Sequence, residues 1–232
     1  MPVGLELQSY RVNLAIIYQV QMEAPSNLNQ LLLTLKELSV FHHNTAFGGS
    51  GEVMYANSNS HLTNTGCRFT QNLPVESGGA LVLLNSQAMI NDSIFYSNTA
   101  FEDGGAISIN GYSTSSKSNL TVDNSTFSYN TATRHGGVVY ASLATVMLNE
   151  TVIGCNMAHV NGDLVYAIEN SKVISNNYDN GIATTNTKDL VFATSSCELI
   201  AEDIFMPLCQ YNMLHHTMTD QVTAYNKGFS RL

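Results

Sequence analysis

Short segments of this chain alternate apolar and polar residues with period two, and the segments themselves recur. Val53, Leu81, Ile107, Val139, Val165 and Val191 are each followed, two residues on, by Tyr55, Leu83, Ile109, Ala141, Ala167 and Ala193, with mixed residues between. Alternation of this kind predicts a strand with one buried face. A second alternating run (Leu62/Asn64, Ala88/Ile90, Leu120/Val122, Val146/Leu148) ends five residues before Phe69, Phe95, Phe127 and Ile153. Those four residues mark a third strand, with Cys67, Ser93, Ser125 and Thr151 two positions earlier.

The third strand opens a recurring pair of motifs. Phe41, Phe69, Phe95, Phe127 and Ile153 are each followed three residues on by Asn44, Asn72, Asn98, Asn130 and Asn156. Six residues after each Asn comes Ser50-Gly51, Gly78-Gly79, Gly104-Gly105, Gly136-Gly137 or Gly162-Asp163. Counted on the second member, with Asp189 as the sixth, the steps are 28, 26, 32, 26 and 26 residues. A fixed interval of this size is the signature of a solenoid. Three strands and three bends in 26 residues leave no chain for crossover helices. A sandwich of hairpins would not keep identical residues in register. The pattern predicts an all-β, right-handed parallel β-helix of about six to seven coils over residues 1–208, clearest over 38–170, with an irregular tail or partial cap at 209–232. Successive coils stack about 4.8 Å apart.

In such a coil the five Asn residues form a ladder of side-chain amides, each bonding the next. The glycine pairs suit a bend that needs positive φ or a close pass of the next coil. Asp163 and Asp189 replace glycine there. The 32-residue step holds an insertion, Asn110 to Asn119, expected to project as a polar loop. Val12, Leu14, Ile16, Tyr18, Val20 and Met22 alternate as well and read as a strand of an earlier coil, which points to a fragment of a longer array. Glu198 to Phe205 echoes Gln87 to Phe95 and reads as the last regular coil.

The paired motifs FxxN and GGA[ILV] resemble the polymorphic outer-membrane protein repeat of autotransporter adhesins and related secreted β-helix proteins. The resemblance runs over about residues 38–170 and more loosely to about 205. It implies a surface-displayed or secreted, adhesive role, with a glycan or a cell-surface protein as partner and an extracellular or cell-surface location.

Charge narrows the classes further. A net charge of -9 and a pI near 5.1 argue against nucleic acid, which requires a basic footprint. No window approaches 18 apolar residues, so this segment is not expected to insert in a membrane. Met1 to Pro25 lacks the basic start and continuous apolar run of an ordinary signal peptide. Cys67 and Cys155 fall about three coils apart, roughly 14 Å, and are not expected to pair, whereas Cys197 and Cys209 can be reached by one disulfide or stay free. No Cys/His spacing points to zinc, and no cofactor is expected.

Outward neighbours of the Val/Leu/Ile column are Met54, Val82, Ser108, Tyr140, Tyr166 and Phe192. The last three make an aromatic stripe, a candidate binding platform. Sequons stand at Asn91, Asn119, Asn124 and Asn149, glycan sites in a eukaryotic secretory route. About five are expected by chance from 25 Asn and 43 Ser/Thr in 232 residues, so their number alone decides nothing. The enzymatic alternative is a polysaccharide lyase or glycosidase, for which Asp163 with Asp189 is the best carboxylate pair, roughly 5 Å apart. Both also read as bend residues. Glu102-Asp103 reads as a solvated bend, Arg134-His135 has no assigned partner, and His215-His216 reads as surface. Gly48 to Gly51 lacks the Lys of a phosphate loop. The expected function is therefore a non-catalytic rod or spacer.

Overall fold

The computed structural model describes residues 5–6, 15–16, 20–23, 32–36, 39–44, 53–73, 76–176, 183–184, 191–201 and 224–225. The chain is a parallel β-helix of about five turns with a repeat of about 26 residues, slightly fewer coils than the sequence pattern implies. Each coil visits three sheets in a fixed order. A nine-stranded sheet carries Leu32–Lys36, His61–Thr65, Gln87–Asn91, Ser118–Asp123, Ala144–Asn149, Lys172–Asn176 and Glu198–Ala201 in parallel. A second sheet follows with Val40–His42, Arg68–Thr70, Ile94–Tyr96, Thr126–Ser128 and Val152–Ala158. The third, seven-stranded sheet holds Met54–Asn57, Leu81–Leu84, Ile107–Asn110, Val139–Ser142, Val165–Ile168 and Val191–Ala193.

Inside the coil the predicted columns are present. Leu81, Ile107, Val139 and Val165 are fully buried, and Val191 packs against them at the end. Phe41, Phe69, Phe95 and Phe127 stack face to face at 4.8, 4.7 and 4.7 Å, with interplanar angles of 6° to 11°. Ile153 continues that column in the next coil. The first coil departs from the expected register: Met54 and Ala56, not Val53 and Tyr55, stand beside Leu81 and Leu83. Met54 and Ala56 are fully buried, and Tyr55 points outward beside Val82. The 28-residue step is responsible. Phe41 to Phe69 keeps that interval, but Met54 to Leu81 is one residue shorter, and period-two alternation turns a one-residue slip into a change of face.

Polar bends hold the coils in register. Asn44, Asn72, Asn98, Asn130 and Asn156 are buried. Each of the first four donates its side-chain amide to the Oδ1 of the next, at 2.8, 2.8, 2.9 and 2.9 Å. Each Oδ1 accepts a second bond from the backbone N–H of the preceding Asn. A Ser/Thr ladder lines another bend, where Ser93 and Ser125 accept from the backbone of Cys67 and Ser93 at 3.2 and 3.0 Å. Gly104 adopts φ +70°, and a Cβ on Gly105 would meet the carbonyl oxygen of Gly137 in the next coil.

The N-terminal segment is not an earlier parallel coil. Val20–Glu23 pairs antiparallel with Leu32–Lys36, Ala15–Ile16 with Val40–His42, and Leu5–Glu6 with Met54–Asn57. It visits the three sheets in reverse order and occupies the edge of each, which satisfies backbone groups that a bare edge would leave open. At the other end, Ala224–Tyr225 adds a short parallel strand beside Glu198–Ala201. The rest of the predicted tail lies outside the described residues.

Two outcomes follow from this packing. Leu81→Asp places a carboxylate in a column with no polar partner and is expected to cost about 3–5 kcal/mol in urea unfolding. Val82→Asp, on the outward side at 7% exposure, costs less. Asn98→Leu leaves the buried N–H of Asn72 and the carbonyl of Phe69 without their partners. At about 1–3 kcal/mol for each orphaned group, the urea midpoint falls well below that of a surface Asn119→Leu control.

Candidate functional site

The outward row on the seven-stranded sheet runs Tyr55, Val82, Ser108, Tyr140, Tyr166 and Phe192. Tyr55 replaces the expected Met54. Tyr140, Tyr166 and Phe192 do form one stacked column, with ring centroids 5.8 and 4.9 Å apart at 15° and 8°. The stacking axis is the helix axis, so ring faces meet one another and only edges turn outward. His135 lies on Tyr166 at 4.1 Å from the neighbouring coil, which leaves Tyr166 covered on both faces. Tyr166 thus has neither face open to a sugar ring, and its stacking is packing. Burial, then the charge of Asp103, pushes the Tyr140 hydroxyl up to about 12.

Beside this column sits an ionic cluster built from the bends of two adjacent coils. Asp103 is no solvated bend residue: its side chain is 7% exposed and accepts from Arg134 Nη2 at 2.8 Å. Its other oxygen accepts from the backbone N–H of His135 at 3.1 Å. Glu102 stands 3.7 Å from the same guanidinium at the rim. Burial raises the Asp103 pKa despite Arg134 and His135. His135 is lowered, chiefly by burial, and its Nδ1 is enclosed without a hydrogen-bond partner. Glu102-Asp103 and Arg134-His135 hold the same two positions before their glycine pairs, so aligning neighbouring coils would have paired them from sequence.

The other candidates disperse. Asp163 is buried and its Oδ1 accepts from the backbone N–H of Ala158 at 2.8 Å, a bend-stabilising contact. Asp189, Gly48 to Gly51, Cys209, His215 and His216 lie outside the described residues. Cys155 is in a disulfide, whereas Cys67 and Cys197 are free, so Cys67 pairs with neither and Cys197 is not bridged to Cys209. Burial pushes the Cys67 thiol up to about 11. Among the described residues no three His, Cys, Asp or Glu gather as a metal site, and no helix is long and apolar enough to cross a membrane.

All four sequons fall on the nine-stranded sheet or the bend that follows it. Two have a local cause. Ser93 and Thr151 donate to the carbonyls of Asn91 and Asn149 at 2.8 and 2.9 Å, as Ser125 does to Asp123 at 2.8 Å. The bend itself thus calls for a hydroxyl two residues after the strand end. Asn149 is further held in a row, donating to Asp123 at 2.6 Å and accepting from Asn176 at 2.8 Å. Asn119 and Asn124 are exposed. Asn119 belongs to the strand Ser118–Asp123 rather than the inserted loop, because Ser118 is recruited into the second Ser ladder by the backbone N–H of Ser86 at 3.0 Å. The loop proper spans 111–117, is pinned by Ser116 to Asn85, and exposes Tyr112.

Sequence reasoning missed a second aromatic group. Tyr96 and Tyr129 are 43% and 54% exposed, and their rings meet edge to face at 5.5 Å. They occupy neighbouring but different repeat positions, so a column-by-column reading does not bring them together. No family model matches the chain, and searches of curated proteins and of solved structures also find no match.

The cluster yields a titration prediction. A lowered His135 pKa means that the unfolded chain takes up the proton first, so stability decreases as pH falls from 6.5 toward the folded-state value. Asp103 raises the His135 pKa, so Asp103→Asn is expected to move the imidazole midpoint further down in an NMR titration. A midpoint that rises in that variant would contradict the assignment.

Proposed function

We propose that this chain is a non-catalytic β-helix, displayed at a cell surface or secreted, that serves as an adhesive rod or spacer and binds a glycan or a cell-surface protein on a lateral face. The observation that carries this reading is the sameness of the coils. Register, Asn ladder and Ser ladder repeat from coil to coil, whereas catalysis needs one exceptional coil with convergent groups. The resemblance of FxxN and GGA[ILV] to the polymorphic outer-membrane protein repeat supports an adhesive role and an extracellular location. Asn119 and Asn124 are the sequons best exposed for glycans in a secretory host.

The second reading, a polysaccharide lyase or glycosidase, draws on Asp103 with Arg134 and His135. A buried carboxyl with a raised pKa beside a cation is the kind of group acid catalysis uses. Against it, both oxygens of Asp103 already hold structural partners. The test is incubation of the chain with a polysaccharide panel, assayed both for retention and for new reducing or unsaturated ends. Retention without product is expected. Product formation that disappears in Asp103→Asn or Asp163→Asn would establish the enzyme instead.

A further inference from the structure

We propose that Tyr96 and Tyr129 form a contact site for a pyranose ring of a neutral oligosaccharide, a site that deepens the adhesive reading and rests on it. The two rings sit on adjacent coils at an interplanar angle of 64° with centroids 5.5 Å apart. In this arrangement the ring that offers its edge keeps both faces clear of its partner, and the other keeps one. The two residues are 43% and 54% exposed. Tyr166 of the neighbouring column, by contrast, is stacked between His135 and Phe192. Aromatic faces carry negative quadrupole density and attract the polarised C–H groups that line one side of a sugar ring.

Two further observations select the ligand. The segments 94–101 and 126–133, which form this face of both coils, contain no charged residue. Their partly exposed positions instead offer the hydroxyls of Ser97, Thr99, Ser128 and Thr131. Within these two segments an anionic polymer finds no cation and a basic peptide no carboxylate. The neighbouring charges are Arg68, beside Ile94 on the adjoining strand, and Glu102 and Arg134 in the bends that follow, so a neutral sugar is the ligand that the tyrosines and hydroxyls themselves suit. The second observation is backbone placement. Tyr129 occupies a bend column in which His43, Gln71, Ser97 and Cys155 also have positive φ, and its own φ is 59°. The left-handed φ therefore belongs to the bend itself, and Tyr129 is the bulkiest side chain that any of these coils places there. Here the left-handed turn aims the ring outward over Tyr96.

Titration of the whole chain with cellohexaose, mannohexaose, chitohexaose and, as an anionic control, hexagalacturonate, followed by NMR of the tyrosine rings, tests this. At least one neutral hexamer is expected to shift the Tyr96 and Tyr129 ring resonances while hexagalacturonate does not. Tyr129→Ala and Tyr96→Ala should each weaken binding about tenfold, the scale of one lost aromatic contact. Tyr112→Ala should leave it within twofold. Tyr129→Asn, which suits a left-handed turn, keeps the fold intact and should lose binding equally. Neutral-sugar binding that survives in the Tyr96→Ala/Tyr129→Ala double variant overturns the site, as does the absence of binding to all three neutral hexamers. Adhesion to cells that persists in that double variant would overturn the site while the rod reading stands.

Discussion

The architecture depends on buried amides that are satisfied only by the coil next door. Asn98 accepts from the side chain and backbone of Asn72, and donates to Asn130 and to the carbonyl of Phe69. None of these bonds lies within its own coil. An unsatisfied buried amide costs about 1–3 kcal/mol, more than an exposed ion pair such as Lys172–Glu198 contributes. The ladder therefore selects register more sharply than the apolar columns do, since Leu, Ile and Val tolerate exchange. Phe41, Phe69, Phe95 and Phe127 then stack at the same spacing, so the apolar and polar columns demand one common rise.

This coupling is nearest-neighbour, as in other solenoids, and it makes the ends the weak points. The chain meets that problem at one end by reversing direction. Its first three strands run antiparallel along the edges of all three sheets and pair the backbone groups of the first parallel coil. Glycine pairs serve the opposite purpose in the middle. They let consecutive coils approach at a bend where a Cβ on Gly105 would collide with the backbone of the next turn.

Much of this was legible because the inward positions repeat. The Phe, Asn and Val/Leu/Ile columns were all readable from their offsets, and so was the aromatic stack. Errors arose where a coil departs from its own plan. Met54 replaces Val53 because a step of 28 residues does not say where its two extra residues go, and period two punishes a misplacement by one. The N-terminal alternation over Val12 to Met22 reads as one strand, but Ala15–Ile16 and Val20–Glu23 belong to different sheets and run antiparallel, since alternation marks neither a bend between strands nor their direction. Asp103 was misread because a charged residue in a bend is usually solvated, and its burial depends on Arg134 in the next coil. Tyr96 and Tyr129 were invisible to a column reading because their contact is diagonal.

The same logic separates scaffold from function on the surface. Any residue repeated at one offset is explained first by the ladder it belongs to. Asn91 and Asn149 show this, since their sequons arise from hydroxyls that the bend uses to close on the strand-end carbonyl. Tyr166, though aromatic and outward, is stacked between His135 and Phe192 and is scaffold too. What the scaffold does not explain is a bulky ring at a left-handed bend where other coils carry His, Gln, Ser or Cys. In a protein assembled from interchangeable coils, the residue that breaks its column without improving the packing is the one to associate with a ligand. Tyr129 meets that description, and Asp163, which replaces glycine but bonds Ala158 within its own coil, does not.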